Sequence, residues 1–306
     1  MQTAFYLLRL FLALILGSLF ARVTKKISLK KVTRVALDLV LYMLLFFMGV
    51  NSSKIPDIGK RIVSMGGEAL VATLFVIAGC IFSSYLLSLL IRNRVNRVER
   101  VRQRISLERL KTPFIMIGLV ACGLLGGIFT PLFNWFDDSY ITLILYGLLF
   151  LVGMEMVQNE INLLPLLKSP LMLLLPLSTL FGTYLGALFI PLVTPYSLRE
   201  SMALVSGFGW YSLSGVMISS LGNPHLGTVS FLSNLFRETF SFILIPLLAT
   251  LSQVSFSAVS IGGATSMDVT LPLLKRSLGD SVVPLAIGHG VVMTLLAPLL
   301  IPLWFG

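Results

Sequence analysis

The chain has 306 residues, 56% of them hydrophobic and 12% charged, against about 25% charged in an ordinary soluble domain. With a mean hydropathy of +0.94 and apolar runs of about 20 residues recurring throughout, it leaves no room for a soluble domain and reads as an all-α polytopic membrane protein. The net charge of +10 sits in short loops between those runs, so it marks orientation and contact with lipid headgroups rather than a nucleic-acid surface.

In chain order, spans are expected at 4–20, 35–53, 62–91, 113–131, 140–157, 171–192, 201–220, 229–250, 257–274 and 282–305. The first is not read as a signal peptide, because its basic flank, 22-RVTKKISLKKVTR, follows the run instead of preceding it. The segments 201–220 and 257–274 are rich in Gly, Ser and Thr and are open to crossing, re-entering or breaking midway, so the count is eight to ten. The reading is one transporter domain, with N-terminal helices over 1–192 and a C-terminal part with interrupted helices over 200–306.

Loop charge sets the direction. Loop 21–34 carries six basic residues and no acid, and loop 92–112 carries eight against Glu99 and Glu108. Both follow odd-numbered spans, whereas loop 132–139 carries Asp137 and Asp138 and no base. The excess of Lys and Arg on the cytoplasmic side then places both termini outside. Lys54, Lys60 and Arg61 run against this scheme. Cys80 and Cys122 read as small apolar-environment residues, and two distant histidines, His225 and His289, make no metal site, so no metal or other cofactor is expected.

The strings 45-LFFMGVN and 149-LFLVGME match at an offset of 104 residues, pairing Phe46 with Phe150, Gly49 with Gly153 and Asn51 with Glu155. That offset spans three helices, an odd number, so the copies run in opposite directions, as in the inverted repeats of secondary transporters.

Three polar islands interrupt the apolar C-terminal part. The first, 206-SGFGWYSLSG, holds Trp210, Tyr211, Ser212 and Ser214; its glycines each cost a helix about 1 kcal/mol relative to alanine, which favours unwound backbone able to ligate an ion or a carboxylate. The second centres on Asn234, Arg237 and Glu238, with Asn234, Glu238 and Ser241 on one helix face. The third, 262-GGATSMDVTLP, holds Thr265, Ser266 and Asp268. Glu238 reads as a carboxyl for a cationic substrate, a proton or each in turn, with a structural Arg237–Glu238 ion pair as the plainer alternative. Close packing of small residues is the plainer account of the Gly-rich islands, yet it leaves Asp268 unexplained. Asp38, Asp57, Glu68 and Glu155 are the other acids near spans. Asp38 stands one turn from Arg34, and Glu155 lies near an inner helix end. His289 fits helix packing and a proton relay equally.

The strings 206-SGFGWYSLSG, 237-RE, 262-GGATSMDVTLP and 288-GHG, with 45-LFFMG and 149-LFLVG, resemble the bacterial lysine exporter (LysO-like) family over most of the chain. The resemblance implies export of L-lysine and its toxic analogue thialysine, driven by an ion gradient. It also implies two essential membrane-embedded acids. One matches Glu238; for the other, Asp38 and Asp57 are candidates, and Asn51 stands as a polar residue in the repeat. Protons, or alternatively Na⁺, are the coupling-ion candidates, and a homo-oligomer is left open. The competing reading is a cation/proton antiporter that carries no amino acid. An intramembrane enzyme is disfavoured, since no single segment holds a nucleophile with its base.

Overall fold

The computed structural model describes residues 2–24, 29–55, 57–91, 111–133, 135–136, 138–158, 170–250 and 255–305. The basic stretch 92–110, Lys25, Lys26 and Asp137, on which the orientation partly rests, lie outside them. Among the described residues all regular structure is helical: α1 (Gln2–Val23), α2 (Lys30–Ser52), α3 (Ile58–Ile91), α4 (Lys111–Phe129), α5 (Asp138–Gln158), α6 (Pro170–Ala187), α7 (Leu198–Val205), α8 (Tyr211–Ser220), α9 (Pro224–Ala249), α10 (Ser255–Gly262), α11 (Leu271–Leu278) and α12 (Val283–Leu303). Five helices, α2, α3, α9 and the stretches 170–192 and 280–303, are long and apolar enough to cross a membrane. The protein is an all-α polytopic membrane protein.

The first six helices form a frame of three pairs: α1 with α5, α2 with α4, and α3 with α6. Each pair crosses at glycines. A Cβ on Gly49 in α2 would stand 2.1 Å from the Val120 carbonyl of α4, and one on Gly153 in α5 would stand 2.1 Å from the Leu14 carbonyl of α1. These are the two glycines matched by the 104-residue offset, and the offset turns the α2–α4 contact into the α5–α1 contact. Helices α3 and α6 are antiparallel, since Cys80 Sγ lies 3.3 Å from Thr183 Oγ1 while Ser83 Oγ donates to the Ser178 carbonyl at 2.7 Å. They meet at Gly79 and Gly182, each blocking a Cβ on the other. Under the 104-residue offset the first two pairs exchange and the third maps onto itself.

Of the ten expected spans, 201–220 and 257–274 do not run through. Helix α7 starts with a capping box, Ser197 with Glu200. Just before it, Tyr196 donates to Glu68 and lies 3.4 Å from His225 at the start of α9. By its end the Leu204 carbonyl has advanced along α9 to Ser230, which donates to it at 2.7 Å, and to Asn234. The chain then turns, and α8 returns along α9, with Gly215 against Gly227. Asn223 and Pro224 follow at once, the asparagine side chain capping α9 by accepting from Leu226 N–H at 3.0 Å. Both ends of this first hairpin therefore lie at the start of α9.

The second hairpin, α10 and α11, enters from the other end of α9, with its Ile261 carbonyl at Arg237. Its bend lies beside Ala286 and Gly290, near the start of α12. The far end of α12 reaches the first hairpin, where Trp304 donates to the Tyr184 hydroxyl, itself 2.8 Å from Ser206 Oγ. Outside the two hairpins, α1–α6, α9 and α12 run without such a turn, and the five stretches long and apolar enough to cross a membrane are all among them.

Candidate functional site

The two bends meet. Phe208 and Gly209 both take left-handed φ values, 49° and 93°, and so does Gly263 at 59°. The Ala264 amide donates to the Phe208 carbonyl at 2.8 Å. A Cβ on Gly263 would fall 2.0 Å from that same carbonyl, so only glycine fits at this crossing.

Helix α9 braces both bends from one polar face. Asn234 Oδ1 accepts from Gly209 N–H at 2.8 Å, and its amide nitrogen reaches the Ser230 carbonyl at 2.9 Å and Ser214 Oγ at 3.2 Å. Arg237, 2% exposed, serves the second hairpin: Nε donates to the Ile261 carbonyl at 3.0 Å and Nη2 to the Ser260 carbonyl at 2.9 Å. Those carbonyls end α10, where a cation offsets the negative end of the helix dipole. Ser241 also donates to Ile261, at 3.2 Å.

The Arg237–Glu238 ion pair of the plainer alternative is therefore not formed. Adjacent residues on a helix point about 100° apart, and Arg237 is committed to α10. Glu238 is 1% exposed, and both its carboxyl oxygens lack a hydrogen-bond partner among the described residues. A buried carboxyl without partners costs several kcal/mol unless a proton or a cation accompanies it.

Around Glu238 the acids gather. Glu238 lies within electrostatic range of Asp268, and Asp268 within range of Glu155 on α5. Tyr211, which opens α8, lies within the same range of Glu238, Asp268 and Tyr42 of α2. Asp268 is exposed in a loop whose preceding residues are buried. The Thr265 carbonyl shapes that loop by accepting from Asp268 N–H at 3.3 Å, Thr270 N–H at 2.9 Å and Thr270 Oγ1 at 3.0 Å. The second arms, α8 and α11, begin at the bends without a side-chain cap from Trp210 or Thr270. Their N-terminal amides and positive dipole ends are directed at the same region as the acids.

The remaining expected residues fall into two sets. Trp210 is half-buried at the first bend, Ser212 is buried, Ser214 bonds Asn234, and Thr265 donates to the Gly262 carbonyl at 2.8 Å. Ser266 Oγ lies 3.0 Å from His289 Nδ1, whose Nε2 lies 2.8 Å from Thr179 Oγ1 of α6. His289 thus ties the second bend to the frame.

Asn51 is buried near the end of α2. Asp38 is exposed on α2, one turn before Tyr42. Asp57 is exposed with φ 56° at the start of α3, where its carbonyl accepts from Lys60 N–H at 2.9 Å. Tyr42, Cys80 and Thr183 were not legible as neighbours of the site, because nothing in an apolar helix distinguishes them from ordinary packing.

A family model described as lysine exporter LysO matches residues 11–102 and 117–305. A lysine exporter LysO of Escherichia coli (strain K12) is 31% identical over 274 residues, covering 89% of this chain and 90% of the relative. A Haemophilus influenzae protein provisionally named as a lysine exporter is 38% identical over 162 residues, covering 52% of this chain and 80% of the relative. No solved structure matches the chain.

Proposed function

The chain belongs to the lysine exporter LysO family, and from that premise we propose that it is a secondary active transporter moving L-lysine, and the toxic analogue thialysine, out of the cytoplasm in exchange for protons. The observation that carries the reading is Glu238, a sealed carboxyl without a hydrogen-bond partner where two re-entrant bends meet. Such a group awaits a cation, and lysine brings two ammonium groups. The uncapped start of α8 supports a role in holding the lysine carboxylate, and Glu238 the adjacent α-ammonium. Asp268 lies on the open side of the same cluster.

In this scheme Glu238 carries lysine or a proton but not both. A proton arriving from outside displaces lysine outward, and its loss inside readmits the next. The exchanged helix pairs of 1–192 support an inverted repeat, and the hairpins over 200–306 form the substrate-bearing unit. The basic loops of the sequence support a location in the bacterial inner membrane with both termini on the periplasmic face.

The test is lysine efflux from vesicles holding the purified protein. Efflux that accelerates with an inward proton gradient supports the proposal, and efflux that follows Na⁺ instead replaces the coupling ion. Exchange of Na⁺ for protons without lysine movement returns the reading to a cation/proton antiporter.

A further inference from the structure

Helix α7 is eight residues long, and a tyrosine hydroxyl ties it to the frame at each end. At its far end Tyr184 Oη of α6 lies 2.8 Å from Ser206 Oγ. At its root Tyr196, 8% exposed, donates to the half-buried Glu68 carboxylate of α3. Tyr196 also meets the start of α9, its hydroxyl 3.4 Å from His225 Nδ1 and the two ring centroids 6.2 Å apart. Its phenol is thus wedged where α3 and α9 come together. The two helices then run on side by side, with Thr73 Oγ1 donating to the Ser233 carbonyl at 2.9 Å and Arg237 Nη2 lying 3.7 Å from Cys80 Sγ.

The second hairpin has a counterpart further along α3, where Ser84 Oγ lies 2.8 Å from Ser257 Oγ of α10. Sixteen residues separate Glu68 from Ser84, about 24 Å along a helix. One frame helix therefore holds both hairpin roots, at opposite ends of the bundle. The two holds differ in kind. Ser84 offers a bond between neutral hydroxyls, and Glu68 a charge-assisted one, roughly twice as strong.

Glu238 is sealed, so opening toward the face where α9 begins has to lift the first hairpin off the frame. We propose that α7 is the arm of a gate on that face and that the Tyr196–Glu68 hydrogen bond is its latch. The role of the gate rests on the transport reading, whereas the latch is defined without reference to cargo. Water reaches the half-buried carboxylate and replaces the phenol when the arm lifts, which keeps the latch reversible.

The test uses the full chain in vesicles. Hydrogen exchange is followed over 198–205 and 255–262, and Glu238 is labelled with a water-soluble carbodiimide and an amine. Tyr196→Phe keeps the ring against His225 and removes only the hydroxyl. It is expected to speed exchange over 198–205 about fivefold or more, the low end for a hydrogen bond to a charged group that is partly wet. Glu238 labelling should rise by a similar factor, with 255–262 unchanged. Glu68→Gln keeps an acceptor without the charge and should give a smaller change of the same kind. The double variant should be no faster than Tyr196→Phe alone, since both substitutions act on one bond. Wild-type labelling of Glu238 in Tyr196→Phe overturns the gate. So does faster exchange over 255–262 as well, which marks general loosening, and so do additive effects in the double variant. Should the Phe variant misfold, Glu68→Gln carries the same measurements, and unchanged Glu238 labelling there overturns the proposal. A wild-type chain that moves no lysine removes the export reading, while the labelling still judges the latch.

Discussion

The Ala264 amide and the Phe208 carbonyl join the two re-entrant bends through main chain alone, at 2.8 Å. Gly263, immediately before that amide, occupies the only space left beside the same carbonyl. Gly263→Ala should therefore push the bends apart. The expected cost is on the order of 3 kcal/mol, from left-handed backbone and overpacking together. A thermal unfolding midpoint in detergent equal to wild type would show that the bends tolerate separation.

Arg237 separates two roles that its sequence neighbour obscures. Because it caps the Ser260 and Ile261 carbonyls, Arg237→Ala should take that donor from Ser260 and leave Ile261 with Ser241 alone, at about 2–3 kcal/mol. Arg237→Lys should recover little, since a single ammonium cannot reproduce the planar fork. Unfolding midpoints of the two variants would reveal the ranking, and near-wild-type stability of the lysine variant would contradict it.

Glu238→Gln is expected to behave oppositely. The carboxyl holds no hydrogen bond among the described residues, so stability should change by no more than about 1 kcal/mol. Transport should nevertheless fall by more than tenfold, and proton release on lysine binding should vanish. Dye-monitored proton release that persists in this variant would move the exchange site elsewhere.

The matched glycines permit a paired comparison. Gly49→Ala and Gly153→Ala each meet a carbonyl at 2.1 Å, so each should lose about 1–3 kcal/mol, by amounts agreeing within about 1 kcal/mol. Gly59→Ala, with nothing within 4 Å, serves as the control and should be neutral or slightly stabilising. Unequal losses at 49 and 153 would argue against the equivalence of the two halves.

Hydropathy made the helices legible because each apolar run must satisfy its own backbone, and it made the polar islands legible because they violate that rule. It could not show that 198–220 and 255–278 turn back, since a hairpin and a broken through-helix share one composition. For Arg237 the sequence left two outcomes open, service to another helix and a diagonal pairing, and only the fold brings the Ser260 and Ile261 carbonyls to it. An Arg-Glu pair looks self-sufficient in a sequence, whereas on the helix the two side chains serve different neighbours.

The joint between the bends uses only an N–H and a C=O, groups that every residue except proline supplies in full. Side-chain drift at 208 and 264 leaves it standing, so the surrounding side chains are free to vary without parting the two hairpins. A protein built this way can rewrite the walls around its bends while the bends themselves stay joined.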